Sequence, residues 1–115
     1  MHELSVAMSI VESVEEETHR AGGSSVSEIV LEIGILSGII REALDFALEE
    51  AIKGTILQEA DIRIEEIPGI AKCSSCGTEF RTGDHFTICP ECMNPYTDII
   101  QGKEMKIKSI KIAFK

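Results

Sequence analysis

The chain has no tryptophan, and aromatic residues make up only 4% of its 115 positions. Hydrophobic residues still reach 43%, an ordinary share for a protein that buries a core, so that core has to be aliphatic. Basic residues are scarce: 11 Lys and Arg stand against 20 Asp and Glu, for a formal net charge of -9. Non-specific nucleic-acid binding depends on neutralising phosphates with Lys and Arg, so this balance argues against a nucleic-acid partner. No apolar run approaches the ~20 residues of a membrane-spanning helix, which argues against a membrane partner. The opening has no basic n-region and reaches Glu3 at once, unlike a secretory signal, so a cytoplasmic protein is expected. Catalytic signatures are missing as well. No nucleophile–base pair, glycine-rich phosphate loop or H-E-x-x-H stretch nominates a reacting group, and the expectation is a protein that is not an enzyme.

What charge there is lies unevenly. Acidic residues crowd the front, as in Glu15, Glu16 and Glu17, while Lys103, Lys106, Lys108, Lys111 and Lys115 gather at the end. A solvated, charge-polarised surface accounts for this.

Periodicity divides the rest. Leu4, Ala7, Met8, Val11 and Val14 recur at three- and four-residue steps, which predicts a helix over 4–21. The glycines of "AGGSS" (Ala21 to Ser25) should stop it. In "VSEIVLEIG", Ile29, Leu31 and Ile33 alternate with Glu28, Val30 and Glu32, the pattern of a strand. A second helix is expected from about Ile40 to Lys53, burying Leu44, Leu48, Ala51 and Ile52, with Gly54 placed for the positive φ that often follows a helix. "ADIRIEEIPG" alternates again. Strand, helix, strand in this order predicts a βαβ unit with a right-handed crossover.

From Gly69 to Gly102 apolar periodicity fades and Cys, Gly, Pro and Asn take over. Alternation returns in "KEMKIKSIKIAFK" with a phase slip at Ser109, which predicts a long last strand carrying a bulge. The expected class is α+β: a small mixed three-stranded sheet with two helices, interrupted by an inserted zinc-ribbon-like module. The boundaries read as 1–68 with 103–115 for the α/β domain and 69–102 for the insert.

All four cysteines fall in the insert, as Cys73-x2-Cys76, twelve residues, then Cys89-x2-Cys92. Two such knuckles match a structural zinc site, because each CxxC bend sets two thiolates on one side and two facing bends complete a tetrahedron. Two disulfides are the alternative, and a reducing cytoplasm disfavours them. Four thiolates leave no open position for catalysis. A module this small needs its metal to stay folded. His85, between the knuckles, reads as a surface loop residue.

The other candidate site is the start, "MHE". His2 is too large for efficient methionine removal, so Met1 should remain with a free amine. That amine, the His2 amide nitrogen and the His2 ring can close fused chelate rings, and the Glu3 amide would complete an all-nitrogen set. Such a set suits square-planar Cu(II) or Ni(II) better than tetrahedral zinc. Amide protons must leave, so affinity should fall as pH drops.

These stretches together resemble the HypA/HybF family of hydrogenase nickel-incorporation proteins. "MHELSVAMSIVESVEEE" looks like the family's opening, "EIGILSGI" and "EALDFALEEAIKGT" like its central strand, turn and helix, and "CSSCG…F…CPEC" followed by "DIIQGKEMKIKSI" like its zinc domain and returning strand. The resemblance implies a nickel metallochaperone that delivers Ni(II) to the large subunit of [NiFe]-hydrogenase, with a HypB-like GTPase as partner, and in some organisms toward urease. It implies transient Ni(II) on Met1, His2 and Glu3, with the His2 ring as the side-chain ligand, and structural Zn(II) on Cys73, Cys76, Cys89 and Cys92. The chain departs from the family in having Met93-Asn94 after the second knuckle, where many relatives have a small Gly-Ser pair. A homodimer that exchanges an element at Gly22-Gly23 or Gly69 stays open. The competing function is a zinc-ribbon adaptor for protein partners with no second metal.

Overall fold

A computed structural model describes residues 3–114. The first helix, α1 (Glu3–Arg20), buries Val6, Ala7, Ile10, Val11, Val14 and Thr18. These are three- and four-residue steps, as expected, but the buried stripe is turned from the one the sequence suggested. Leu4 and Met8 are 55% and 59% exposed, and Val6 and Ile10 take their place. Both rows repeat at the helix period on a helix with apolar residues over much of its surface, so period alone could not choose between them. Thr18 is fully buried and donates its hydroxyl to the Val14 carbonyl at 2.8 Å, so the group is not left unsatisfied. The helix ends in a Schellman motif. Gly22, at φ 79°, donates to His19 O, and Gly23 donates to Thr18 O, closing the last open carbonyls.

Strand β1 (Ser25–Gly34) follows, then helix α2 (Arg41–Ala51), which packs on α1 and buries Leu44, Ala47 and Leu48. Strand β2 (Asp61–Ile67) comes next, and β6 (Met105–Ala113) closes the chain. Between them lie β3 (Ile70–Cys73), β4 (Glu79–Arg81) and β5 (Thr97–Gln101). The first sheet has the order β2-β1-β6. As its central strand, β1 buries not only Ile29, Leu31 and Ile33 but also Val30 on the opposite parity. The sheet is mixed. Ser24 donates to Ala113 O and Gly34 to Glu104 O, so β6 runs against β1, whereas Val26 donates to Ile56 O and Ile35 to Ile67 O, so β2 advances with it. The half-buried residues of β6 include Ile107, Ile110 and Ile112, with an odd step between the first two, where the sequence slips phase.

Among the described residues the buried core contains no aromatic side chain, in line with the composition. Contact clustering separates two units: the described parts of Met1–Leu31, Ile39–Ile64 and Ile107–Lys115, and a second made of Glu32–Gly38 and Glu65–Lys106. In the second unit the chain passes itself backbone to backbone. A Cβ on Gly34 would sit 1.9 Å from Gly102 O, and one on Gly69 would sit 2.3 Å from Thr82 O. Leu36, nearly fully buried, donates its N–H to Gly102 O at 2.7 Å. Backbone cannot step aside as a side chain can, so Gly34→Ala is expected to destabilise the protein by about 3 kcal/mol. Denaturant unfolding of the purified variant checks this. In the same unit Lys106 pairs with the mostly covered Glu32 at 3.3 Å, placing one of the clustered C-terminal lysines against an acidic strand position.

Within the insert, where apolar periodicity fades, β4-β3-β5 form a second, antiparallel three-stranded sheet, with Ala71 opposite both Phe80 and Ile99. Strands of three to five residues are too short to show a period of two above the background of Cys, Gly and Pro.

Candidate metal centre

Strand β3 ends on Cys73, and the chain there folds straight into the first knuckle. Cys73 donates to Thr78 O, and Gly77, at φ 74°, returns its N–H to Cys73 O at 3.1 Å. The second knuckle repeats the design. Cys89 donates to Asn94 O at 3.0 Å and Met93 returns its N–H to Cys89 O at 2.9 Å. Met93 therefore stands where Gly77 stands in the first knuckle, and it shares the left-handed conformation at φ 64°. Among the described residues it is the one non-glycine with positive φ. An L-residue there carries strain on the order of 1–2 kcal/mol. Met93→Gly removes that strain but adds unfolded-state freedom, so a net gain of about 0.5 kcal/mol is expected in the stability of the metal-loaded protein, measured by thermal unfolding.

The two bends face each other. Cys73 and Cys92 hold their sulfurs 3.5 Å apart, and Cys76 and Cys89 hold theirs 3.6 Å apart. All four sulfurs lie within 4.8 Å of one another. A disulfide would need about 2.05 Å, so these are four free thiols. Sulfurs about 2.3 Å from a central ion in a tetrahedron stand about 3.8 Å apart, and the cluster has that size. Its donor set is all sulfur, which fits zinc and leaves no vacant position. Cys73 and Cys89 are buried, whereas Cys76 and Cys92 reach the surface.

The surroundings divide the four thiols. The backbone N–H of Cys76 leads in pulling the Cys73 pKa down to about 6, with the N–H of Ser75 and the neighbouring thiols helping. The Thr78 hydroxyl, 3.1 Å from Cys76 Sγ, leads in lowering Cys76. For Cys92 the Asn94 backbone N–H pulls downward, but the hydrogen bond with Cys73, burial and the other two thiols outweigh it and push it up to about 12. Without metal the cluster thus favours a thiolate on Cys73 and a retained proton on Cys92, which an incoming cation has to displace.

The four cysteines that the sequence grouped are brought together by the structure. The sequence did not find Thr78, Met93 or Asn94 around them. The only available signal was the offset of one residue after each CxxC, which aligns Met93 with Gly77. His85 is exposed and takes no part in the cluster. Of the other candidate set, Met1 and His2 lie outside the described residues, and Glu3 opens α1. The Glu3 carboxylate accepts a hydrogen bond from the Ile40 N–H at 3.1 Å. Ile40 is the N-cap of α2 and has no side chain able to cap it, so Glu3 supplies an acceptor at a helix N-terminus, where a negative charge is favoured.

With a four-sulfur pocket in one unit and the helical start tied down in the other, likeness to known proteins becomes decisive. Residues 1–112 match the family described as hydrogenase/urease nickel incorporation, metallochaperone, hypA. The chain belongs to the HypA family. The hydrogenase maturation factor HypA of Parabacteroides distasonis is 48% identical over 112 residues, covering 97% of each chain. That of a Nostoc species is 45% identical over 112 residues, covering 97% of this chain and 96% of its own. Two HypA solution structures share the fold at 23% identity. The Ni metallochaperone HypA of Helicobacter pylori has a TM-score of 0.72 with all of both chains covered, and another HypA protein has 0.75 with all of this chain and 98% of its own. The family consists of metallochaperones for hydrogenase maturation, not enzymes, as expected from the sequence. No helix among the described residues is long and apolar enough to cross a membrane.

Proposed function

We propose that this chain carries Ni(II) at its N-terminus and hands it to the large subunit of a [NiFe]-hydrogenase during maturation, while zinc holds the four-cysteine unit. The observation that carries the reading is the family match running from residue 1, over a start whose Met1 amine, His2 amide, His2 ring and Glu3 amide form one nitrogen set. The Glu3 carboxylate is engaged through one oxygen by Ile40 N–H, and the Glu3 amide is the donor that completes the nitrogen set. The hydrogen bond to Ile40 also ties residue 3 to the start of α2.

In this reading 1–68 with 103–115 is the nickel-binding domain and 69–102 the zinc-binding domain. Nickel is cargo, and its site must release. A terminal clamp can be peeled from one end by a partner without unfolding a core, whereas a site with two buried thiolates cannot. A HypB-like GTPase, the hydrogenase subunit and a second copy of the chain are the proposed partners, in the cytoplasm. Placing one extra residue before Met1 tests the assignment. Nickel titration of that protein should show no binding at the native affinity, with zinc content unchanged. Undiminished nickel binding would remove the N-terminal site and put nickel elsewhere on the chain, whereas an unmodified chain that takes up no nickel would make the zinc-ribbon adaptor the better reading.

A further inference from the structure

The geometry points to Asn94 as a positioning residue of the zinc site, one that ties the two knuckles together and donates toward the Cys73 sulfur. The inference rests on zinc occupying the four cysteines. Asn94 belongs to the second knuckle through its backbone, whose carbonyl accepts from Cys89 N–H at 3.0 Å. Its side chain belongs to the first. Nδ2 lies 2.7 Å from Ser75 Oγ, 3.3 Å from Ser74 Oγ and 3.7 Å from Cys73 Sγ. Oδ1 accepts from Tyr96 N–H at 3.0 Å, which fixes the amide's orientation and leaves its two hydrogens facing the first knuckle. Ser74 is held to the same strand approach, donating both its N–H and its hydroxyl to Tyr96 O.

Two physical consequences follow. Four thiolates around a dication leave a net charge of about -2, and N–H donors to the sulfurs spread that charge. Cys73 Sγ already receives the N–H groups of Ser75 and Cys76 at 3.4 and 3.5 Å, and Asn94 adds a donor that comes from the opposite knuckle. That donor holds the two halves of the ligand set at the right separation, in a unit whose strands are short. The left-handed turn at Met93 immediately precedes Asn94, and glycine could make the same turn without strain.

The test is zinc release to a chelator from the full chain, comparing wild type with Asn94→Asp and Asn94→Ala. Aspartate keeps the shape and the acceptor for Tyr96 but loses the donor; alanine loses both and adds no charge. Release should be at least about tenfold faster from both variants, with the far-ultraviolet dichroism of the loaded proteins unchanged. A wild-type rate in either variant overturns the role, since a response to Asp alone reports only added charge. Should a variant fail to fold, cadmium-113 substitution of the wild type decides: a correlation between the metal and the Asn94 amide protons supports the contact, and its absence overturns it. Zinc analysis of the wild type comes first. A chain that holds no zinc overturns the metal reading itself, whereas a loaded chain with unaffected variants overturns Asn94 alone.

Discussion

Cys73→Ser is expected to cost the protein its zinc and, with it, the second sheet. Cys73 ends β3 and is almost fully buried, and its sulfur is the acceptor for Ser75 N–H, Cys76 N–H and Asn94 Nδ2. Serine is a poor zinc ligand and too short to fill the space. Structural zinc contributes about 10–16 kcal/mol of apparent binding free energy at neutral pH, and losing one of four ligands forfeits much of it. The insert has little to replace it, because its strands are three to five residues long and Phe86, Ile88, Met93 and Tyr96 all lie exposed instead of in a core. Amide spectra should therefore lose dispersion across 70–101 while residues of α1 and β1, which pack an aliphatic core, keep theirs. Removing zinc with a strong chelator should give the same picture in the wild type. Acidification should approach it gradually. Metal-bound thiolates carry no protons and the metal-free Cys92 holds its proton strongly at about 12, so falling pH favours the metal-free form and zinc affinity declines. Dispersed signals across 70–101 in a zinc-free protein would show that the short strands hold without metal.

His2→Ala should do the reverse: nickel is lost, and zinc and fold stay. The proposed clamp uses the His2 ring to close a chelate with the chain's own amide nitrogens, and alanine leaves that ring open. A loss of about a hundredfold in nickel affinity, about 2.7 kcal/mol, is expected in calorimetric titration, with zinc stoichiometry and melting temperature unaltered. Because the amide protons must leave, wild-type nickel affinity should also fall as pH is lowered. Unchanged nickel affinity in His2→Ala would disprove the assignment. The pair of variants separates the two metals: one substitution removes cargo and spares the scaffold, and the other removes scaffold.

Some of this was plain in the sequence. The two helices, the alternating β1, β2 and β6 and the four-cysteine cluster all follow from spacing, because period and ligand separation are local properties of a chain. The stop of α1 at Gly22-Gly23 was equally local, a matter of φ that glycine adopts freely. Which stripe of α1 faces inward was not. Leu4-Met8 and Val6-Ile10 carry the same period, and only contact with other elements chose Val6 and Ile10. Nor could the sequence announce that Gly34 and Gly102 pass within van der Waals range, since they are 68 positions apart and each looks like an ordinary loop glycine.

By itself the sequence determined the repeating patterns and the chemistry: an aliphatic core, four sulfurs in two bends, and a start rich in nitrogen donors. Tertiary structure alone decided the buried stripe of α1, the second sheet, and the placement of Glu3 on Ile40 and Asn94 on Cys73. The division has one cause. Donor type and periodicity are fixed by residues a few positions apart, whereas burial and hydrogen-bond partnership depend on which distant segment the folded chain brings alongside.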